Sequence, residues 1–399
     1  MTDNPFPPYQ TKVLFLLVGS NPLPNYVAAR LLARENGTVV LLNSEKTSQV
    51  AERLKRQLAA ERSDLSFQLY TVPESDGPSI ARKVDEAARQ FERFYPHMTI
   101  GLNYTGGTKP MAAYSYQILS KMFPRGVYSY LDARTLSMVL DPGGETMQRI
   151  RVESKVALKL KDIVELHGYQ LKQPRRNSIC TKIATAIAEV HQTIDGMNQW
   201  RSWLDTWSTG ATLPNFAQFP ALESIEKTFE TVCGGESTEN GVAQALGFQQ
   251  LKQCSKYFIG GWLEDYTLDA LAQANRQLQL DDYAGEINIS APQRPPFEID
   301  AAATIGYQLF ALSCIVTHKK GAAKEHLLEV VTRAGQLGGD EARFAAITFC
   351  DDKNVRELQL DVSEAWDAAG KIRVFGRSHI PNLSDHLLKW FREANQEAS

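Results

Sequence analysis

The chain has 399 residues, 43% of them hydrophobic and 22% charged, which suits a globular protein with two or three domains. No stretch reaches the roughly 18 apolar residues that a membrane span needs, so we expect no membrane partner. The net charge of −3 is uneven, because residues 1–155 hold 19 Lys and Arg against 15 Asp and Glu. This basic excess favours a phosphate-bearing ligand, whereas the acidic remainder does not indicate nucleic-acid binding.

The first 155 residues alternate between strand and helix patterns. Lys12–Val18 is a continuous apolar run, typical of a strand that is buried on both faces. Further strands are predicted at 38–42, 66–72, 98–103, 126–132 and 137–141, with helices at 25–35, 44–60, 79–94 and 110–122. Strands that alternate with helices at this spacing predict an α/β domain with an open parallel sheet.

Residues 156–257 have mainly helical patterns with polar, Gly and Pro breaks, and we interpret them as a helical connector or an insertion. A second α/β region follows. It has predicted helices at 262–274 and 322–334 and predicted strands at 285–289, 297–303, 308–317 and 344–349. The predicted organisation is therefore an N-terminal segment (1–155), a connector (156–257) and a C-terminal segment (258–399).

Two polar loops follow strands of the predicted parallel sheet, at the edge where such sheets bind ligands. Gly19–Asn21 comes after the first strand, and Asn103–Lys109 comes after the fourth. Gly106 and Gly107 can adopt positive φ and expose N–H groups to an anion, and Lys109 begins a helix whose N-terminus favours negative charge. The alternative is a Gly-rich turn that binds nothing. Neither a Walker loop nor GxGxxG is present, so nucleotide hydrolysis and dinucleotide oxidoreductase activity are not indicated.

The strings Val18-Gly-Ser-Asn-Pro and Asn103-Tyr-Thr-Gly-Gly-Thr-Lys-Pro-Met resemble those of CARF domains in type III CRISPR accessory effectors. The resemblance extends in element order over residues 12–150. It implies a Rossmann-like fold, a homodimer and a cyclic oligoadenylate ligand, with cyclic tetra-adenylate as the favoured ring. It also implies that the ligand is bound by Gly19, Ser20, Asn21, Ser44, Asn103, Thr105, Gly106, Gly107, Thr108 and Lys109.

Three features of the C-terminal segment resemble CARF-linked nucleases with a PD-(D/E)XK, or restriction-endonuclease-like, domain. They are Gly261–Glu264, Glu298–Asp300 and Leu337–Gly339. The resemblance implies a nuclease site in which Glu264 and Asp300 are catalytic and bind Mg²⁺ or Mn²⁺. Its substrate would be single-stranded RNA or DNA.

The next strand departs from the family pattern. Ser313-Cys314-Ile315 stands where the family has Glu-x-Lys, so a carboxylate and a lysine are both missing. Either the site is degenerate and the domain binds a partner or nucleic acid, or nearby groups substitute. Lys319 and Lys320, just past the strand, are the candidates for the missing lysine.

The five cysteines are scattered without CxxC spacing, which favours a reducing cytoplasm over a disulfide framework or a zinc site. The N-terminal ten residues have no basic residue before an apolar stretch, so we expect no secretory signal. We interpret the chain as a cytoplasmic homodimer in which a cyclic oligoadenylate controls a nuclease-like domain. Two alternatives are a non-catalytic effector and a sensor that slowly cleaves its own cyclic ligand, with Lys109 stabilising the developing charge.

Overall fold

The computed structural model describes residues 4–94, 99–142, 146–207, 215–236, 238–292, 294–365 and 370–396. Position 98, which the sequence places in the fourth strand, lies outside these ranges. The described residues form two sheets, each covered by helices. Within these ranges, no helix combines the length and the apolar character needed to cross a membrane.

The N-terminal segment contains a seven-stranded sheet. Its strands are β1 (Thr11–Val18), β2 (Ala33–Asn43), β3 (Ser66–Thr71), β4 (Ile100–Asn103), β5 (Val127–Asp132), β6 (Ser137–Asp141) and β7 (Gln148–Arg151). The order is β3-β2-β1-β4-β5-β6-β7; the first five are parallel and the last two are antiparallel additions. The helices are α1 (Leu23–Leu32), α2 (Ser48–Glu61), α3 (Gly77–Phe94) and α4 (Lys109–Met122). The order of the five parallel strands is that of a Rossmann-like sheet.

Strand β1 is central because it is apolar on both faces. Residues 13–18 are all buried, and β1 pairs with β2 on one side and β4 on the other. Leu14 and Leu16 enter one hydrophobic cluster, whereas Val13 and Phe15 enter another on the opposite face. This alternation confirms the prediction of a doubly covered strand, since successive side chains of a strand point to opposite faces.

The second sheet lies mainly in the C-terminal segment. Its strands are β8 (Gln170–Leu171), β9 (Asp282–Ala291), β10 (Arg294–Ile305), β11 (Gln308–Cys314), β12 (Arg343–Ile347) and β13 (Ile372–Phe375). The order is β13-β12-β11-β10-β9-β8, with β8 to β11 antiparallel and β11 to β13 parallel. The connector therefore supplies one edge strand of this sheet.

The remaining helices surround the second sheet or link the two sheets. They are α5 (Leu160–Leu166), α6 (Thr181–Val190), α7 (Ile194–Thr206), α8 (Glu223–Cys233), α9 (Glu239–Ala245), α10 (Leu251–Lys256), α11 (Trp262–Leu278), α12 (Lys320–Gly338), α13 (Asp352–Ala365) and α14 (Leu383–Gln396). A π-helical turn, Tyr257–Gly261, leads from α10 into α11.

The hydrophobic clusters cross the predicted boundaries. One cluster joins Leu16 of β1 with Ile163 of the connector and Leu309 of the C-terminal segment. Another contains the stacked pair Trp200 and Trp203 of the connector, together with C-terminal side chains. The two tryptophans therefore pack in a core. The domain boundaries stay a prediction, but the three segments share buried contacts.

Candidate functional site

A cavity of about 770 Å³ lies at the carboxyl edge of the seven-stranded sheet, within the size range of small-molecule pockets. The loops after β1, β2 and β4 contribute the predicted residues Gly19, Ser20, Ser44, Gly107 and Thr108. The rest of its wall comes from other parts of the chain, including Arg53, His167, Tyr169, Arg294, Phe297 and Arg333. The cavity therefore lies between the N-terminal segment and the two segments that follow it.

The two glycine loops pack directly against each other. A Cβ atom added to Gly19 would lie 3.0 Å from the backbone nitrogen of Gly107, and one added to Gly106 would overlap the carbonyl oxygen of Leu17. Gly107 has a φ of +73°, in the left-handed region that side chains disfavour. Position 106 therefore requires glycine because the Leu17 carbonyl lies so close to it, and position 107 requires glycine because of its positive φ.

Thr108 and Ser44 organise the cavity wall around Glu74. The Thr108 hydroxyl accepts a hydrogen bond from the Met111 N–H at 3.3 Å, capping α4, and donates to the backbone carbonyl of Glu74. The Ser44 hydroxyl donates to the Glu74 carboxylate at 3.1 Å, and Lys46 Nζ binds that carboxylate at 2.8 Å. The hydrogen bond from Lys46, followed by that from Ser44, lowers the pKa of Glu74. The negative charge of the Glu74 carboxylate is therefore paired with the positive charge of Lys46.

The cavity is lined by four cationic side chains, Lys46, Arg53, Arg294 and Arg333. The Arg294 guanidinium lies 5.1 Å from the centre of the Tyr169 ring, and its Nη1 donates to the Tyr169 hydroxyl at 2.8 Å. The Arg333 guanidinium lies 5.0 Å from the centre of the Phe297 ring. Because Glu74 is paired with its own lysine, the lining keeps an excess of positive charge, which favours an anionic ligand.

Five predicted ligand residues belong to the same loops but do not line the cavity: Asn21, Asn103, Thr105, Gly106 and Lys109. Asn103 is buried and its Nδ2 donates to Ser129 Oγ at 3.0 Å, whereas Thr105 Oγ1 accepts from the Leu131 N–H at 2.7 Å. Both side chains therefore tie the loop to β5. Lys109 is exposed at the start of α4. Ligand binding by these five residues stays a prediction.

Asn21 is directed toward the C-terminal segment. Its Oδ1 accepts from the Leu23 N–H at 3.0 Å and lies 3.2 Å from Nε2 of His167, and its Nδ2 donates to the Glu341 carboxylate at 3.2 Å. Burial raises the pKa of Glu341 to about 7 and lowers the pKa of His167 to about 4. Both groups therefore resist being charged at this junction.

A group of carboxylates lies where α11 meets the second sheet. Glu264 and Glu298 line a cavity of about 510 Å³, and Glu298 and Asp300 line a smaller one of about 240 Å³. Burial, followed by the charges of Asp300 and Glu298, raises the pKa of Glu264 to about 8. Burial also raises the pKa of Asp300 and of Glu298. The charges of Asp300 and Glu298 therefore act on Glu264, and the role of Glu264 and Asp300 as catalytic metal ligands stays a prediction.

Ser313 lies opposite Asp300 in the β10–β11 ladder. The register pairs Ala301 with Leu312, which places the preceding residue Asp300 across from Ser313. Ser313 Oγ donates to Asp300 Oδ2 at 3.1 Å, and the Cys314 N–H donates to the same oxygen at 2.6 Å. The hydroxyl at position 313 therefore binds the aspartate, and one carboxylate oxygen of Asp300 is occupied by the neighbouring strand.

The two lysines proposed as substitutes lie at the start of α12, outside the lining of both acidic cavities. Lys320 Nζ lies 2.9 Å from Glu357 and 3.2 Å from Asp361, and Lys319 is exposed. A lysine that the sequence did not indicate, Lys256, lines the cavity of Glu264, and its charge lowers the pKa of that carboxyl. A catalytic role for Lys319 or Lys320 stays a prediction.

The described residues do not complete a divalent-metal site. Within the ranges that the structure covers, no three His, Cys, Asp or Glu side chains are grouped so that they could hold an ion. Mg²⁺ and Mn²⁺ prefer several oxygen ligands, of which carboxylates are the strongest. Glu264 and Asp300 offer two carboxylates, and the strand position that would supply a third holds Ser313. The arrangement does not fit the metal that the sequence resemblance implies.

Six residues of the cavity lining were not predicted from the sequence, namely Arg53, His167, Tyr169, Arg294, Phe297 and Arg333. They belong to α2, the connector, β10 and α12, and none of them follows a strand of the parallel sheet. No motif joins them, so a sequence signal was lacking. Their convergence depends on the packing of distant segments.

Fold and site together define an α/β protein with two sheets, in which the Rossmann-like first sheet has a cation-lined cavity at its carboxyl edge. No protein-family model and no curated protein sequence matches the chain. Among solved structures it is similar to protein VC1899 from Vibrio cholerae, with a TM-score of 0.68 and 12% identity over 96% of this chain and 98% of that chain. It is also similar to Can2 from Sulfobacillus thermosulfidooxidans in complex with cyclic tetra-adenylate, with a TM-score of 0.67 and 16% identity over 95% and 97%.

A third similar structure is a type III CRISPR defence DNA nuclease activated by cyclic oligoadenylate. Its TM-score is 0.50 and its identity 13%, and the match covers 85% of this chain and 45% of that chain. At these identities the likeness establishes a shared fold. With VC1899 and Can2 that fold extends over nearly the whole chain, which confirms the predicted fold class.

Proposed function

We propose that the protein is a cyclic-oligoadenylate sensor whose ligand-bound homodimer controls the nuclease-like C-terminal segment. The observation that carries this proposal is the cavity at the carboxyl edge, where glycine loops of one segment meet arginine–aromatic pairs of another. The fold shared with Can2, whose structure contains cyclic tetra-adenylate, supports the ligand class. We favour cyclic tetra-adenylate as the ligand.

The chemistry of the lining suits both parts of such a ligand. Phosphodiesters would be bound by the backbone N–H groups of the glycine loops and by the cations, because both complement a diffuse negative charge. Adenine bases would stack on the guanidinium planes of Arg294 and Arg333, because the rings of Tyr169 and Phe297 are buried beneath these planes. The ligand would thereby contact more than one segment of the chain.

A homodimer follows from the symmetry of a cyclic ligand, because a ring with repeated units matches two identical half-sites. Tyr116 and Tyr130 are 37% and 40% exposed, and Tyr104 packs against both at 5.7 and 5.9 Å. An exposed aromatic surface next to the loop of Lys109 supports contact with a second copy. In that dimer Lys109 would reach a ligand shared by the two copies. All five cysteines are free, which supports action in the cytoplasm.

The incomplete metal site favours a second candidate for the C-terminal segment, a non-catalytic effector that binds a partner or nucleic acid. Ser313 binds Asp300 in the position where a metal ligand would be needed. Two residues further on, the position that would hold the catalytic lysine is occupied by Ile315. Metal-dependent cutting of single-stranded RNA or DNA is the other candidate, and its support is that the charge of Asp300 acts on Glu264. Slow cleavage of the cyclic ligand by the sensor, with its own 2′-hydroxyl as nucleophile, is a further hypothesis.

Calorimetric titration with cyclic tri-, tetra- and hexa-adenylate tests the sensor, with linear tetra-adenylate as the matched control. We expect one ring per dimer and much weaker binding of the linear form. The same samples then receive Mg²⁺ or Mn²⁺ with labelled single-stranded RNA and DNA. Cutting would support the nuclease, and binding without cutting would support the non-catalytic effector. If none of the rings binds, the sensor proposal is wrong.

A further inference from the structure

Two arginines from different segments lie near one another in the ligand cavity. Arg53 belongs to α2 of the N-terminal segment, and Arg294 begins β10 of the C-terminal segment. Burial, followed by the positive charge of Arg294, lowers the pKa of Arg53. Both side chains line one cavity and contact the adjacent residues Gly168 and Tyr169, so their positive charges repel each other across the boundary between the segments.

A short piece of the connector holds both guanidiniums in place. Gly168 has a φ of +83°, and a Cβ atom added there would lie 2.8 Å from the guanidinium carbon of Arg53. The next residue, Tyr169, carries Arg294 over its ring and accepts a hydrogen bond from it at 2.8 Å. Arg53 Nε donates to the Leu166 carbonyl at 3.5 Å. Both side chains are therefore oriented by neutral groups.

Neither guanidinium forms an ion pair with a carboxylate among the described residues, whereas Arg62 and Lys46 bind Asp64 and Glu74. Guanidinium groups are rarely placed together without a counter-ion, because their mutual repulsion is unfavourable. Arginine is also the side chain best suited to bind phosphate through two parallel hydrogen bonds. A pair of arginines fixed in one cavity thus favours an anion between them.

We propose that Arg53 and Arg294 form a single phosphate subsite shared by the N-terminal and C-terminal segments, and that one phosphodiester of the cyclic ligand bridges them. The proposal rests on the proposed function and names the contact through which ligand binding reaches the C-terminal segment. Strand β10, which begins at Arg294, also carries Glu298 and Asp300. A phosphate bound at Arg294 therefore stabilises one arrangement of the strand that carries the acidic site.

The test compares Arg53→Gln, Arg294→Gln and the double variant with Arg56→Gln. Arg56 lies on the same helix but is exposed and outside the cavity lining, so it is a matched control for loss of charge. Each subsite variant should weaken cyclic tetra-adenylate binding by roughly ten- to a hundred-fold, and the control by less than about two-fold. The double variant should lose less than the product of the single effects, because both groups bind one phosphate.

A second readout separates ligand binding from a structural role. Without ligand, Arg294→Gln should change the melting temperature little, since it removes the repulsion from Arg53 together with the hydrogen bond to Tyr169. With cyclic tetra-adenylate, hydrogen exchange in β10 should slow in the wild type and in Arg56→Gln but not in Arg294→Gln. Unchanged slowing of exchange in Arg294→Gln would overturn the subsite.

The inference and the proposed function can fail separately. Ring binding by the wild type, with wild-type affinity in both single variants, would overturn the subsite and leave the sensor. If the wild type binds no cyclic oligoadenylate, the sensor proposal is wrong. The phosphate subsite is then tested by measuring the melting temperature with and without inorganic phosphate. Phosphate that raises the melting temperature of the wild type but not of the double variant supports the subsite. An equal shift in both proteins, or none in either, overturns it.

Discussion

The side-chain nitrogen of Asn21 and a carboxylate oxygen of Glu341 lie 3.2 Å apart, although 320 positions separate the two residues in the chain. Asn21 follows β1, and Glu341 precedes β12, so this hydrogen bond joins the two sheets. Ser20, the neighbour of Asn21, lines the cavity at the carboxyl edge of the first sheet. One loop therefore contacts the cavity through one residue and the C-terminal segment through the next.

Asn21→Asp should destabilise the protein more at pH 8 than at pH 5. The new carboxylate keeps the acceptor for the Leu23 N–H but replaces the donor that faces Glu341. Since the pKa of Glu341 is about 7, this residue carries a proton at pH 5 and can donate to Asp, whereas two negative charges meet at pH 8. Urea unfolding should show a loss of about 1–3 kcal/mol at pH 8 and a smaller loss at pH 5. Equal losses at both pH values would contradict this account, and Asn21→Ala serves as the control without charge.

Glu341→Gln should remove a component of the pH dependence of stability. The pKa of Glu341 rises from its ordinary value of 4.5 to about 7 on folding, so the folded state binds more protons between these values. Its contribution to stability is present below about pH 4.5 and is lost as the pH rises through 7. The stability of Glu341→Gln relative to the wild type should therefore increase from pH 5 to pH 8, by on the order of 2 kcal/mol.

Unfolding curves at several pH values, with Glu325→Gln on the exposed face of α12 as the control, measure this difference. Buried His167 contributes the opposite trend, because its lowered pKa makes stability fall as the pH drops from 6.5 toward 4. Subtracting the wild-type curve cancels the histidine contribution. A constant difference between variant and wild type across the pH range would show that Glu341 is not the titrating group.

The double substitution Ser313→Glu and Ile315→Lys should strengthen the binding of Mn²⁺ or Mg²⁺ at the carboxylates of Glu264 and Asp300. Ser313 lies across from Asp300, so a glutamate there would supply the missing carboxylate ligand. We expect Mn²⁺ affinity to increase at least about tenfold and metal-dependent cutting of single-stranded nucleic acid to appear. Calorimetry with Mn²⁺ and a cleavage assay measure the two effects.

Adding Asp300→Asn to this double variant should abolish both gains. Chelation by EDTA should do the same, because the new activity would depend on the bound ion. Equally tight Mn²⁺ binding and equally fast cutting by the unsubstituted protein would show instead that other groups complete its site.

Gly106→Ala should destabilise the protein and weaken ring binding, because a Cβ at this position overlaps the Leu17 carbonyl oxygen. We expect a loss of roughly 1–3 kcal/mol in urea unfolding. Gly321, in the first turn of α12, has no atom within 4 Å of an added Cβ, and Gly321→Ala should stabilise by about 0.4–1 kcal/mol. Similar losses for both substitutions would mean that the contact with Leu17 is not the cause.

Tyr116→Glu should shift the protein from dimer to monomer in sedimentation experiments. A negative charge in an aromatic contact surface is unfavourable because it is desolvated on association. We expect the dimer dissociation constant to increase at least about tenfold. Leu360, 61% exposed on α13, provides the control Leu360→Glu, which should leave the dimer unchanged. A monomeric wild type would remove the basis for a shared ligand.

The sequence by itself determined six of the seven strands of the first sheet and one wall of the cavity. The apolar run 12–18 predicted a buried strand, and strand–helix alternation predicted a parallel sheet. In such a sheet the carboxyl ends of the strands share one edge, so the positions of Gly19, Ser20, Gly107 and Thr108 at that edge followed from local patterns. The strand β7 was missed because three of its four residues are polar and none is buried, and β8 because two residues carry no periodicity.

Only the tertiary structure decided the opposite wall and the junction between the segments. Arg53, Arg294 and Tyr169 come together through buried contacts between distant segments, and Asn21 reaches Glu341 in the same way. Secondary structure leaves a signal in the chain because it depends on neighbours a few residues apart. Packing between segments depends on contacts between residues that are far apart in the chain. Such contacts leave no periodic pattern or fixed spacing in the sequence.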